Sequence, residues 1–278
     1  MSTGKNRQSN KRKTTSETKN ALTEAIKNID TLYKAGCINW SGTTSDVPNK
    51  PYVEVISEEI LNSSFFDEQI KESNRETFYT SNHDGEIKAI TNRGEEILAK
   101  GLYLSKVQGL GTFFDYQIPL KEQKKKNESD NEKRERENFN KGTGKIDLVS
   151  ISDNDENIYL IELKAAGSHE TLLRCGLEIY TYYKQLNFKT FKVDINKKYS
   201  EHFKRNNDLS ERLKNFSGEF KKAVLIFAGS TPANMATSGN YHKTMELMKK
   251  LNVEIFIYPK EVEYKLTANL GDKFEHFV

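Results

Sequence analysis

An α/β fold, a mixed β-sheet flanked by helices with a mostly helical N-terminal extension, is predicted by three features of the chain. Strand-like segments follow one another between residues 112 and 165. A long helix with an apolar face comes directly after them, and a strand–helix–strand unit occupies 222–258. Alternating helices and strands that end in such a unit build a layered sheet rather than a helical bundle.

Residues 1–19 carry Lys5, Arg7, Lys11, Arg12, Lys13 and Lys19 against Glu17 alone, so a disordered basic tail is expected there. Leu22, Ile26, Ile29, Leu32 and Tyr33 recur near helical spacing and predict a helix over 20–35. Gly36, Gly42, Pro48 and Pro51 make 36–51 a loop. A second helix is expected around 58–69, and 73–91 reads as polar turns, so 20–91 forms the N-terminal extension. The principal domain, 92–265, opens on Asn92 with Glu95 three residues later, the pattern of a capping box, and a helix to about Leu104 follows. A strand is expected at 112–120. Over 121–141 basic and acidic side chains alternate, with Phe139 as the one apolar side chain. This is a solvated insertion suited to an exposed charged helix. Strands at 145–153 and 156–165 come next, then a helix capped by Ser168 and running to about Leu186. A mixed, basic stretch fills 187–220. A buried strand at 222–228, a helix at 241–251 and a strand at 253–258 complete the domain, and 266–278 is a C-terminal segment.

Composition narrows the function classes. With 278 residues, 35% hydrophobic and 30% charged, the chain can build one large core while leaving some length outside it. The net charge of +3 does not by itself indicate a nucleic-acid binder. The longest strongly apolar run, 223–228, is far shorter than a membrane span needs, and the polar N-terminus has no apolar core of a signal peptide. Cys37 and Cys175 are the only cysteines, which fits a reducing, cytoplasmic setting without a disulfide framework. His83, His169, His202, His242 and His276 are too scattered for a zinc site. Gly142-Thr143-Gly144-Lys145 fails the Walker pattern, since position 139 is Phe and Ile146 follows the lysine.

The informative stretch is Gly144-Lys145-Ile146-Asp147-Leu148-Val149 followed by Ile158-Tyr159-Leu160-Ile161-Glu162-Leu163-Lys164-Ala165. Glu162 and Lys164 interrupt a strand that otherwise reads as buried on both faces, and alternation puts them on one face. A tight turn at Asn154-Asp155 pairs Ile151 with Ile158 and Val149 with Leu160. The same register sets Asp147 beside Glu162, and on the other face it pairs Ile146 with Leu163 and Leu148 with Ile161. Two adjacent carboxylates repel unless a cation joins them. Mg²⁺ takes oxygen ligands of this kind together with waters and phosphate oxygens, and a neighbouring lysine can orient a metal-bound water and offset charge on a phosphoryl group. That set suits phosphodiester hydrolysis.

On these residues the chain resembles the PD-(D/E)XK nuclease superfamily, which has the restriction-endonuclease-like fold. Asp147, then Glu162-Leu163-Lys164, carry the resemblance, together with the preceding Arg93-Gly94-Glu95-Glu96-Ile97-Leu98-Ala99. In element order it spans roughly 92–260. Ile146 stands where the family name has Pro, and the helix after Lys164 lacks the Gln-x-x-x-Tyr pattern of RecB-like exonucleases, offering Arg174, Glu178 and Gln185 instead. The resemblance implies a Mg²⁺-dependent nuclease, with Mn²⁺ as the alternative metal, acting on DNA as a restriction-type or prophage-borne endonuclease and suited to a homodimer. RNA is the alternative substrate. Asp147 and Glu162 would hold the metal with the Leu163 carbonyl, Lys164 would position the attacking water, and Glu95, with Glu96 in reserve, would complete the catalytic set. A non-catalytic nucleic-acid-binding module on the same fold is the rival reading.

Bland accounts exist for each residue. Asp147 could cap a neighbouring amide, Glu162 and Lys164 could form an ion pair, Glu95 could serve only the helix cap, and Arg174 with Glu178 form an ordinary helix-surface pair. The segment 184–205 interleaves Phe188, Phe191, Tyr199 and Phe203 with basic residues. Lys189, Lys192, Lys197, Lys198, Lys204 and Arg205 are the expected phosphate contacts there, beside the basic tail; a solvated loop packed by its own aromatics is the alternative.

Overall fold

A computed structural model describes residues 12–47, 50–83, 94–154 and 156–268. Asn92, and with it the expected capping box, lies outside the described residues, as do residues 1–11 of the tail. Among those described, the chain is a mixed α/β structure around a six-stranded sheet whose spatial order follows the sequence, β1 to β6.

The basic tail turns helical earlier than its charge suggests. Helix α1 spans Thr15–Ala25, because Thr14 and Glu17 form a capping box: the Thr14 hydroxyl accepts from the Glu17 N–H and the Glu17 carboxylate accepts from the Thr14 N–H. A 3₁₀ turn, Ile29–Lys34, replaces the end of the helix expected over 20–35. Helix α2 spans Tyr52–Leu61 rather than 58–69. Pro51 fixes the entry to it, and Val53, Ile56 and Ile60 are its buried stripe. These elements share one core with the sheet: Leu22, Tyr33, Ile38, Ile56 and Ile60 pack in the same buried cluster as Val149, Leu160 and Cys175.

Helix α3 (Gly94–Leu102) buries Leu98, Ala99 and Leu102 on the opposite face of the sheet. Strand β1 (Lys106–Val107) pairs antiparallel with β2 (Gly111–Pro119). The charged insertion contains α4 (Asp130–Gly142), started by a Ser129–Glu132 capping box. Strands β3 (Lys145–Ile151) and β4 (Ile158–Lys164) form the expected hairpin, with Ile151 opposite Ile158, Val149 opposite Leu160 and Leu148 opposite Ile161.

The long helix α5 spans Leu172–Gln185 and is capped by Thr171, whose hydroxyl accepts from the Arg174 N–H at 3.2 Å; Ser168 is not its cap. Helices α6 (Phe188–Asp194), α7 (Ser200–His202) and α8 (Asn207–Lys214) fill the mixed stretch. Strand β5 (Phe220–Phe227) runs parallel to β4. Helices α9 (Thr231–Thr237) and α10 (His242–Lys250) lead to β6 (Val253–Tyr258), parallel to β5, and α11 (Lys260–Ala268) follows. The alternation of apolar residues did not reveal α9. Its signals are local: Ser230 accepts from the Ala233 N–H, and a proline opens the helix.

The hairpin departs from the expected register at one end. The β3–β4 ladder stops at Leu148–Ile161, and neither the expected Asp147–Glu162 pair nor the Ile146–Leu163 pair is part of it. Instead Ile146 and Lys145 stay with β2, opposite Ile118 and Pro119, while Glu162, Leu163 and Lys164 stay with β5, opposite Val224, Leu225 and Ile226. Two irregularities in β2 go with this parting. A one-residue bulge between Phe113 and Asp115 shifts the register, and Gln117 has φ of 52°, a left-handed conformation rare inside a strand. The sheet is therefore forked at Asp147. Gly144, just before β3, lets the Tyr182 hydroxyl approach, and a Cβ there would collide with it. Gly144→Ala is expected to destabilise the fold by about 1–3 kcal/mol through overpacking, and an unchanged urea midpoint would contradict this contact.

Candidate active site

The fork gathers the residues singled out from the sequence. Asp147 lies where β3 leaves β4, and its two carboxylate oxygens are held from both sides. Gln117 Nε2 donates to Oδ1 at 2.9 Å, and the Leu163 N–H donates to Oδ2 at 3.0 Å. The Leu163 bond takes the place of the next ladder bond to β3. A residue's N–H and C=O in a β-strand point to the same neighbour, so the Leu163 carbonyl faces the same gap. Leu163 thus reaches Asp147 through its N–H, a contact the expected carbonyl role did not include.

Glu162 and Lys164 point to the α5 side of the sheet, both nearly fully buried at 1% and 5% exposure. Lys164 Nζ is 2.7 Å from Glu162 Oε1, 3.0 Å from Glu170 Oε2 and 3.5 Å from Glu95 Oε2. Helix α3 thereby delivers Glu95, not Glu96, which pairs with Lys100 at 3.4 Å along its own helix. Arg174 bonds Glu170 at 3.1 Å and sits 3.9 Å from Glu178. The Tyr182 hydroxyl donates to Glu178 at 2.8 Å and lies 3.1 Å from the Tyr33 hydroxyl, which donates to the Gly142 carbonyl at 2.9 Å.

This is a crowd of carboxylates around few cations. Burial pushes the Asp147 carboxyl up to about 7, against the pull of the Lys164 ammonium and the Leu163 N–H. Burial, then the Asp147 charge, pushes the Glu162 carboxyl up well above its usual range. Burial also raises the Glu95 carboxyl, which Lys164 partly opposes. Burial works against the Lys164 ammonium, yet the Glu162 and Asp147 charges override it and hold the proton firmly. Glu178 adds to the pressure on both strand carboxylates. Three carboxylate oxygens of this set are buried without a hydrogen-bond partner, Glu162 Oε2, Glu170 Oε2 and Glu178 Oε2, of which Glu170 Oε2 has the ion-pair contact with Lys164. This is a costly state for charged groups unless a cation offsets it.

A divalent cation beside Glu162 Oε2 suits the residues present in charge and in donor chemistry. Asp147 and Glu162 are hard oxygen donors of the kind Mg²⁺ uses one or two at a time, the rest of its shell being water and phosphate oxygen. No group of three or more His, Cys, Asp or Glu side chains is gathered closely enough for an all-protein metal cage among the described residues.

Sequence reasoning missed Gln117, Glu170 and the Tyr33–Tyr182 pair. Gln117 reaches Asp147 only because the β2 bulge moves it opposite; without that extra residue Tyr116 would stand there. No local signal marks such a shift. Glu170 lies in the loop before α5, where spacing carries no phase. Glu178 keeps its i, i+4 partner Arg174 at 3.9 Å, and its charge also bears on Asp147 and Glu162.

Among the described residues the basic stretch makes no hydrogen bond or ion pair with Glu162 or Lys164. Phe188 and Phe191 pack on Phe220 at 4.9 and 5.8 Å, and Phe220 lies opposite Ile158 at the start of β4. That end of the strand is roughly 20 Å from Lys164 at about 3.3 Å per residue. Phe191, Tyr199 and Phe203 are buried, so the aromatics pack the segment. Lys198 is held by Asp194 and Thr77, both at 2.8 Å, Lys204 by Glu201 at 2.9 Å, and Lys192 lies over the Phe216 ring at 5.5 Å. Lys189, Lys197 and Arg205 are exposed. Lys204 and Arg205 follow Phe203, whose ring is 6.4 Å from Tyr103, beyond the end of α3 away from Glu95.

The raised carboxyls set a pH dependence. Asp147 ionises near the ordinary 3.8 in the unfolded chain but near about 7 in the fold. Between those values the native state holds the extra proton, so stability falls as pH rises and levels off above about 7. Glu162 acts in the same direction. Asp147→Asn and Glu162→Gln are each expected to flatten this slope and to raise the melting temperature at pH 8. Addition of Mg²⁺ at pH 8 is expected to raise the wild-type melting temperature by mass action and to leave both variants unmoved. Variants less stable than wild type at pH 8, or equally stabilised by Mg²⁺, would contradict the electrostatics described.

No helix among the described residues is long and apolar enough to cross a membrane. Comparison with protein-family models, with curated proteins and with solved structures gives no match.

Proposed function

We propose that the chain is a Mg²⁺-dependent nuclease of PD-(D/E)XK type, with a restriction-endonuclease-like arrangement of α3, β2, β3, β4, α5 and β5, and that DNA is its substrate. The observation that carries this reading is the fork. Asp147, held by the Leu163 N–H, and the Glu162–Lys164 ion pair lie where two strands part, with one Glu162 oxygen buried and unpaired.

In this reading Asp147 and Glu162 hold the cation, which supplies Lewis-acid polarisation of the phosphoryl group and an acidified water when bound. Gln117 and the Leu163 N–H fix both Asp147 oxygens, so the carboxylate needs little reorganisation to bind. Lys164 keeps its proton on Nζ, held there by its acidic neighbours. Its part is therefore to place a positive charge beside the phosphoryl oxygens and to orient the attacking water, rather than to remove a proton as a free amine. Glu95, more open to solvent than Glu162 and raised in pKa, is the group placed to take a proton from that water.

The lack of a three-ligand cluster among the described residues favours the second reading, a nucleic-acid-binding module without catalysis. The two readings part on Lys164. Asp147→Ala and Glu162→Ala are expected to abolish Mg²⁺-dependent cleavage without unfolding the chain. Lys164→Ala is expected to slow single-turnover cleavage about 10²–10³-fold with little change in substrate affinity, and Lys164→Arg to fail as well, because a planar guanidinium does not replace a compact ammonium. Supercoiled, linear, single-stranded and branched DNA all left intact by the wild type with Mg²⁺ or Mn²⁺ would refute the enzyme reading.

A further inference from the structure

The acidic fork cannot attract a polyanion by itself, and the basic stretch expected to do so packs on Phe220 and on Phe114 of β2 rather than on the loop that carries Glu170. A different surface adjoins the fork. The loop before α5 carries Glu170, which pairs with Lys164 at 3.0 Å. The next residue, Thr171, is tied to the N-terminal segment twice: its N–H donates to the Asn39 side chain at 2.7 Å and its hydroxyl donates to the Ile38 carbonyl at 2.7 Å. Trp40 follows directly. It lines a cleft of about 770 Å³ with Arg12, Lys13, Ser41, Thr43 and Tyr52.

The chemistry of that cleft is one-sided. No carboxylate is among its described lining residues. Lys13 Nζ sits 4.5 Å from the centre of the Trp40 ring, so the indole fixes the ammonium in place by cation–π attraction. The Lys13 backbone is anchored as well, its N–H donating to the Tyr52 hydroxyl at 2.9 Å. Among the described residues neither Arg12 nor Lys13 is held in an ion pair, in contrast to Lys19, which Glu59 engages at 2.6 Å. Ser41 and Thr43 add hydroxyl donors. Two unneutralised cations, hydroxyls and an aromatic floor make a seat for a phosphate with room for the nucleoside attached to it.

We propose that this cleft binds a backbone phosphate of the nucleic-acid strand whose scissile bond lies at Lys164, and so supplies the positive charge that the fork lacks. The proposal rests on the nuclease reading. Its path is short, because Asn39 and Thr171 join the cleft to the loop that carries Glu170.

Trp40 is the only tryptophan of the chain, so its fluorescence reports on the cleft directly and without catalysis. Full-length protein in EDTA is titrated with a single-stranded DNA oligonucleotide, with a mononucleotide and with inorganic phosphate. The oligonucleotide is expected to change Trp40 emission saturably, and to bind at least ten-fold more tightly than either small ligand. Arg12→Ala/Lys13→Ala is expected to weaken the oligonucleotide at least ten-fold and to make the salt slope shallower by about 1.4, the loss of two single-strand phosphate contacts. Lys189→Ala/Lys197→Ala is expected to change neither. Circular dichroism confirms that the variants are folded, and Lys13→Glu, which keeps the backbone anchor, is a second variant expected to lose binding. Unchanged emission, unchanged affinity of the double variant, or equal binding of inorganic phosphate would overturn the proposal. Cleavage with Mg²⁺ but a silent Trp40 would sink the cleft and leave the nuclease standing. A responsive Trp40 without any cleavage would do the reverse.

Discussion

The hydrogen bond from the Leu163 N–H to Asp147 is the contact on which the rest of the site depends. It ends the β3–β4 ladder by satisfying, with a side chain, a backbone donor that would otherwise pair across the strands. With the ladder ended, β3 follows β2 and β4 follows β5, and the gap between them becomes the place where polar groups can enter an otherwise apolar sheet. The bulge and the left-handed Gln117 in β2 serve the same end, since they aim the Gln117 amide at the other oxygen of Asp147. A strained residue whose side chain braces a buried carboxylate is the pattern expected of a site whose geometry matters more than its stability.

The electrostatics follow from this geometry. Glu162 and Lys164 sit where burial penalises charge, and their ion pair at 2.7 Å offsets only part of that penalty. Asp147, Glu95, Glu170 and Glu178 then compete for Lys164 and Arg174. A surplus of carboxylate over cation is unfavourable for folding alone, and a divalent ion relieves it. In the proposed reading the same surplus would repel a nucleic acid, and the Arg12 and Lys13 of the Trp40 cleft, joined to the loop of Glu170 through Asn39 and Thr171, would complement it. Tyr33, Tyr182 and Gly144 form the wall behind Glu178 and tie the N-terminal segment into the site.

Much of the site could be read from the sequence because strands carry their phase in plain view. Glu162 and Lys164 interrupt a run that otherwise reads as buried on both faces, and the pairs Ile151–Ile158, Val149–Leu160 and Leu148–Ile161 follow from matching apolar partners across a short turn. What failed was non-local. The Ile146–Leu163 pair was lost because β2, not β4, controls the end of β3, and the bulge that sets this has no mark in the residues around Phe114. Helix starts were misplaced where charge or acidity was read ahead of caps: the Thr14–Glu17 box begins α1 inside the expected tail, and Pro51 begins α2 before the residues read as its start. The aromatics between 188 and 203 looked like stacking platforms but close a core, a distinction that burial makes and spacing does not.

The most direct test of the account is the location of a divalent ion. Crystals of the wild type grown with Mn²⁺, measured at the manganese absorption edge, are predicted to show one strong anomalous peak in the fork, within about 2.5 Å of carboxylate oxygens of both Asp147 and Glu162. A peak at some other place, or none at saturating Mn²⁺ with both carboxylates still bound to Lys164 and Leu163, would contradict it.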